Sequence, residues 1–399
     1  MWRPRAIAVA SIVALALSSC GSGASPVPSP RPSVTSPNVS TPGPTTEASC
    51  SQRVLDGLSL PQRVGQLFLL GLADDRLGAA EADAIRSQHF GSVWFIQTTT
   101  SGAQAVREVA DQVQSLATRK TTGSVGFFVA ANQEGGLIQA LRGPGFSTIP
   151  SAVDQGQLEP STLQRDAKQW GRELLAAGVN MNFAPVMDVV PPGTEDQNQP
   201  IGVLQREYGN DPETVAREGS AFLRGMTKAL VATSAKHFPG LGRVIGNTDD
   251  TAGVVDDVTT SEDPFLEPFR ADIDDRVPFV MVALATYTKI DPDHLAVFSP
   301  VVIQQLLRGK LGFDGVVLSD DLGETEAVAD VAPADRAINF LQAGGDMIIS
   351  KTLGPAEAMA SALVAKARDD PRFASRVDGA ARNVLEAKER AGLLPCGGD

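Results

Sequence analysis

The chain has 399 residues and a net charge of −13, from 34 Lys plus Arg against 47 Asp plus Glu. That balance argues against a nucleic-acid partner and leaves no basic patch for an anionic membrane surface. With three His (His89, His237 and His294) and no His-x-His pair, a zinc-type hydrolase is disfavoured.

The N-terminus opens with Arg3 and Arg5, continues with an apolar run from Ala6 to Leu17, and closes on Leu17-Ser18-Ser19-Cys20. The run is shorter than the roughly 20 residues a spanning helix needs, and the three-part pattern is that of a secretory signal. The ending resembles the lipobox of bacterial lipoproteins, which makes 1–19 a removable leader and Cys20 the lipidated first residue of the mature chain. An ordinary signal peptide with an incidental Cys is the plainer alternative. A lipid on Cys20 would tether the protein to the outer face of the cell membrane without a spanning helix. Residues 20–49 are almost all Ser, Pro, Thr, Gly and Ala, a composition expected to form a flexible tether rather than a packed unit. In an exported chain the remaining pair, Cys50 and Cys396, is expected to be bridged. The bridge would staple the ends of the folded body, 50–399.

Eight short apolar runs follow, at 66–71, 92–97, 125–130, 179–184, 232–236, 279–283, 315–319 and 346–349. Continuous rather than alternating apolar runs fit strands buried on both faces of a parallel sheet. Helical patterns lie between them, among them 103–119, 161–177, 212–230 and 300–311, and Ser59-Leu-Pro-Gln62 has the form of a capping box. Eight strands alternating with helices predict a (β/α)8 barrel in one catalytic domain. A doubly wound open sheet is the structural alternative. No phosphate-cradling glycine loop is present.

In such a barrel the chemistry gathers at the C-terminal ends of the strands. Asn132, Gln133 and Glu134 follow the third run, Asp188 the fourth, Lys236 and His237 close the fifth, and Asp320 and Asp321 close the seventh. Arg206 lies in the long loop between the fourth and fifth. An Asp pair can simply cap the next helix, and a His can be a satisfied core residue. Their place at buried strand ends favours a working pocket of carboxylates and cations, with Lys236 and His237 gripping a substrate. Gly143-Pro-Gly145 reads as a turn.

Four motifs then become recognisable: Lys236-His-Phe-Pro-Gly240; Asn132-Gln-Glu-Gly-Gly136 with Arg142-Gly-Pro-Gly-Phe146; Asn182-Phe-Ala-Pro-Val-Met-Asp188; and Gly312-Phe-Asp-Gly-Val-Val-Leu-Ser-Asp-Asp-Leu322. Together they resemble glycoside hydrolase family 3, in its single-barrel β-N-acetylglucosaminidase branch and among its actinobacterial lipoproteins, over about 58–394. The resemblance implies a retaining exo-β-N-acetylglucosaminidase acting on peptidoglycan fragments. It makes Asp320 the nucleophile, Lys236, His237 and Arg206 sugar-binding residues, and Asn132 the occupant of a position where the family has an Asp that grips the non-reducing sugar. Lys236 would help keep Asp320 ionised. Neither a metal nor an organic cofactor is implied, and a monomer is expected.

Two departures stand out. The branch carries an Asp-x-His pair, with the His as acid/base, on a loop that here reads Gly242-Arg-Val-Ile-Gly-Asn-Thr-Asp-Asp-Thr251. Asn247 and Asp249 take the places of that pair, so Asp249 becomes the expected acid/base, with Asp250 its rival. An anionic base favours hydrolysis over phosphorolysis. The second departure, Asn132-Gln-Glu-Gly-Gly-Leu-Ile-Gln-Ala140, lacks two arginines of the family pattern and leaves the leaving-group side open. A β-glucosidase-type exo-glycosidase and a catalytically weak glycan-binding lipoprotein are the competing readings.

Overall fold

The computed structural model describes residues 48–396. The leader 1–19, Cys20 and all but the last two residues of the tether lie outside the described residues. Eight parallel strands close into a barrel: β1 (Phe68–Leu72), β2 (Ser92–Phe95), β3 (Phe128–Ala131), β4 (Met181–Asn182), β5 (Ala232–Phe238), β6 (Phe279–Val282), β7 (Val316–Asp321) and β8 (Met347–Ser350). Each pairs with its neighbours in chain order, and β1 closes the ring against β8. All eight expected strands form, because only a strand covered on both sides can hold a run such as Phe-Leu-Leu-Gly-Leu entirely buried. The open-sheet alternative is excluded by the closure.

The expected helices appear at Gly102–Gln114, Pro160–Ala176 and Pro212–Lys228, each one or more residues shorter at its C-terminal end than the sequence pattern. Ser59 accepts from the Gln62 amide while the Gln62 side chain returns to the Ser59 amide, so the capping box is present. The expected helix over 300–311 is wound with π spacing at Val301–Lys310, the Leu311 amide reaching back to Leu306. Nothing in the sequence explains that winding. Beyond the barrel, a small sheet of Val255–Asp256, Thr286–Tyr287 and Asp291–Leu295 forms from segments the sequence pattern leaves as loops.

The N-terminal end of the barrel is plugged by polar side chains bonded to one another and to the backbone. Lys388, from the helix Pro371–Arg390, donates to Gln66 Oε1 (2.8 Å), Gly91 O (2.7 Å) and Gly126 O (2.9 Å), just below β1, β2 and β3. Asp346, at the foot of β8, accepts from Arg308 (2.5 Å), Arg376 (2.9 Å), Asn383 (3.1 Å) and the Val317 amide (3.0 Å). Cys50 and Cys396 are bonded, their Cα atoms 6.0 Å apart, and join the two ends of the body.

Candidate active site

At the C-terminal end of the strands, a cavity of about 420 Å³ is lined by Asn132, Arg206, Lys236, His237, Asp249, Asp250 and Asp320. The fold thus brings the six residues singled out for catalysis and sugar binding, with the rival Asp250, into one space. Trp94 and Phe183, packed edge to face at 5.7 Å, and Met281 and Ile349 give that space an apolar floor.

Glu134 organises the cationic wall. It belongs to a short hairpin after β3, Gln133–Gly135 against Ile138–Gln139, which Gln133 and Asn182 lock onto β4 by reciprocal bonds of 3.0 Å. Gly135 has φ +118°, and a Cβ there would lie 2.1 Å from the Pro150 carbonyl, so the hairpin admits only glycine. Glu134 accepts a bidentate pair from Arg206 (2.9 and 2.8 Å), and Lys236 Nζ lies 2.6 Å from it. Burial alone would raise the Glu134 carboxyl, but the charges and hydrogen bonds of Arg206 and Lys236 bring it down to about 2. Burial pushes the Lys236 ammonium down, and Glu134 restores part of the difference. The sequence placed Lys236 beside Asp320 as its stabilising charge. In the fold its hydrogen bonds go instead to Glu134 and to Asn132 Oδ1 (2.8 Å), while Asp320 acts on it through the field.

His237 is fixed from behind. Its Nδ1 lies 2.7 Å from Asp188 Oδ2, and Asp188, fully buried, also accepts from the His237 and Leu241 amides. With Nδ1 donating to the carboxylate, Nε2 is the nitrogen left for the cavity.

Asp320, half-buried at the end of β7, accepts the Asp321 amide at 2.8 Å. Its neighbour Asp321 is turned to a different task. Burial pushes Asp321 up to about 6, against three backbone amides it accepts from, those of Gly323 and Lys351 (2.8 Å each) and Glu324 (3.2 Å). Those bonds tie the loop after β7 to the start of the segment after β8.

Asp249 hangs over the cavity from the loop after β5. Its side chain still meets solvent, yet the crowding of its carboxyl by protein, followed by the negative charge of Asp320, raises its pKa above the ordinary carboxylate value. Arg206 and His237 pull in the opposite direction. Asp320 and Asp249 thus line one cavity, with the Asp249 carboxyl held above its ordinary pKa, and two acids in unlike surroundings are what nucleophilic and acid/base work draw on.

The model of "Glycosyl hydrolase family 3 N terminal domain" matches residues 59–386. The chain belongs to glycosyl hydrolase family 3. This glycoside hydrolase is 51% identical to the β-N-acetylhexosaminidase of Beutenbergia cavernae DSM 12333, whose crystal structure it matches with a TM-score of 0.81 over 83% of this chain and 99% of that one. A β-N-acetylglucosaminidase of the family from Paenibacillus sp. is 28% identical, with a TM-score of 0.75 over 86% of this chain and 64% of the other. Among curated relatives, the Beta-hexosaminidase of Stenotrophomonas maltophilia (strain K279a) is 32% identical over 294 residues, 71% of this chain and 82% of its own length.

Sequence reasoning listed Glu134 without a role and did not single out Asn198. Asn198 is buried and donates to the carbonyls of Leu241 and Val244 (2.7 Å each) at the base of the Asp249 loop, while accepting the amides of Ile201 and Gly202. An acid directly preceding Gly-Gly at a strand end was the available signal for Glu134. For Asn198, inside a polar loop, there was none.

Proposed function

We propose that this enzyme is a retaining exo-β-N-acetylglucosaminidase that removes terminal β-linked N-acetylglucosamine from peptidoglycan fragments, tethered outside the cell membrane by a lipid on Cys20. The observation that carries this reading is the meeting of Asp320 and Asp249 in one cavity, beside the Glu134-held cations and the Asp188-held His237. The choice of sugar is supported by the names of the related proteins, and the site of action by the leader and the Ser/Pro/Thr-rich tether.

In the reaction, the Asp320 carboxylate attacks the anomeric carbon as the bond to the leaving oxygen breaks. Asp249 gives that oxygen its proton, and a glycosyl ester on Asp320 results. Water then attacks the same carbon, its proton passing to the Asp249 carboxylate, and Asp320 is released. Arg206, Lys236, His237 Nε2 and Asn132 hold sugar hydroxyls, and contacts that tighten as charge develops lower the barrier. The raised pKa of Asp249 keeps its proton available to higher pH than an ordinary carboxyl would.

A second reading, a catalytically weak glycan-binding protein, is favoured by the absence of His from 242–251. Chromophore release from aryl β-N-acetylglucosaminide and aryl β-glucoside separates the cases. Turnover of the first, lowered at least ~10⁴-fold by Asp320→Asn, is expected. Preference for the glucoside would refute the proposed sugar. Glycan binding without turnover of either would support the second reading.

A further inference from the structure

We infer that the short turn Glu326–Val328, just beyond the nucleophile strand, is the positioning element for the acid Asp249. The inference rests on the assignment of Asp249 as acid in the proposed function. Residues 241–250 contain no helix or strand; inside the loop Asn247 accepts the Asp249 amide on Oδ1 (3.2 Å) and the Asp250 amide on its carbonyl (3.1 Å), while the carbonyls on either side of the Asp249 Cα find partners outside it. The first half is held by Asn198 and by the Gln199 amide, which donates to Ile245 O at 3.1 Å. The second half is held from the other side of the cavity. The Ala327 amide donates to Thr248 O (3.2 Å) and the Glu326 amide to Asp249 O (3.0 Å). These two carbonyls flank the Asp249 Cα, so together they fix where its side chain begins.

The turn that makes those bonds is anchored to the nucleophile. Thr325 Oγ1 donates to Asp321 O (2.8 Å), Asp321 collects the amides of Gly323, Glu324 and Lys351, and the Asp321 amide is bound to Asp320 Oδ1. Arg336 clamps the same segment through the carbonyls of Leu322 (2.8 Å) and Gly323 (3.0 Å). One segment, 321–327, therefore supports both carboxylates and sets their separation. A loop held only at its base would leave the acid free to swing away from the leaving oxygen, and positioning within a fraction of an ångström is what such catalysis needs.

The backbone geometry offers a clean way to cut the strap. Thr325 has φ −70° and ψ 142°, the extended conformation that suits a residue before proline, and Glu326 is the first residue of the turn. Glu326→Pro thus removes the N–H that binds Asp249 O and sets a ring carbon against that carbonyl. The Glu326 side chain is exposed, and its bond to Asp249 is made by backbone alone. Glu326→Ala therefore keeps the strap and serves as the control.

The test compares kcat/KM, which reports the first chemical step, for two β-N-acetylglucosaminides of the purified full chain. A dinitrophenyl leaving group departs without a proton, whereas a methyl group needs one. Glu326→Pro is expected to lose at least tenfold on the methyl glycoside and less than twofold on the dinitrophenyl glycoside, with Glu326→Ala matching the parent on both. Asp249→Ala, run in parallel, should show the same selectivity more strongly. Equal loss on both substrates for Glu326→Pro, or no loss on either, overturns the inference while Asp249→Ala remains selective. If Asp249→Ala is itself unselective, the acid assignment fails and the inference falls with it. Should Glu326→Pro not fold, Thr325→Val cuts the anchor of the same turn and must reproduce the selective pattern.

Discussion

At the C-terminal mouth of the barrel Glu134 lies between Arg206 and Lys236; at the opposite end Asp346 lies between Arg308 and Arg376. Both acids are buried, and both groups contain one carboxylate and two cations. The difference is in what the cations face. Arg206 and Lys236 line the cavity and sit in the field of Asp320, so their charge is available to a ligand. Arg308 and Arg376 spend their remaining hydrogen bonds on the carbonyls of Phe313, Gly315, Leu341 and Gly345, closing the barrel from below. The same ionic motif therefore borders an open cavity at one end and closes the barrel at the other, in keeping with the division of labour between the two ends of such barrels.

Breaking each group in turn sharpens the contrast. Glu134→Gln leaves two buried cations short of their counter-charge, and because those cations line the cavity their misplacement should lower kcat/KM at least ~10²-fold in steady-state assays, beside a stability cost of ~4 kcal/mol. Asp346→Asn carries a similar cost but on stability alone, a fall in Tm of roughly 5–8 °C by calorimetry, with activity per folded molecule within about twofold of the parent. Reversal of that pattern would break the comparison.

Lys388→Met strips the donor from three buried oxygens and should cost about 2 kcal/mol in denaturant unfolding. Burial pushes the Lys388 ammonium down to about 7, below its value of roughly 10.4 in an unfolded chain. Between those values the unfolded state holds the extra proton, so this group's contribution to stability rises with pH. The gap between parent and Lys388→Met is therefore expected to widen from pH 7 to pH 10. The smallest effect is expected for Asp250→Asn, which removes a like charge that helps raise Asp249. The alkaline limb of the kcat/KM–pH profile should move to lower pH, with little change at the plateau.

The barrel was legible because its strands are buried on both faces, so that most are written as short apolar runs such as Phe68–Leu72, Phe279–Val282 and Met347–Ser350, although Ala232–Phe238 carries Thr, Ser, Lys and His. Polar residues immediately after such runs marked the site, and Asn132, Lys236, His237 and Asp320 do line the cavity. Less legible was which charge holds which. Glu134 and Arg206 are 72 positions apart, and Glu134 and Lys236 more than a hundred, so no local pattern links them. Asp320 and Asp321 look alike in the chain and both border the cavity, yet the Asp321 carboxylate is occupied by three backbone amides. The small sheet at Val255–Asp256, Thr286–Tyr287 and Asp291–Leu295 escaped notice because two of its strands have only two residues, too few for a period to show.

The central claim, that Asp320 forms a covalent glycosyl-enzyme, is tested most directly by mass spectrometry of protein quenched during turnover of a slow 5-fluoro-β-N-acetylglucosaminyl substrate. The expected result is one added sugar on the peptide containing Asp320, absent from Asp320→Asn. A sugar on any other residue, or release of product with inverted anomeric configuration and no adduct, would contradict it.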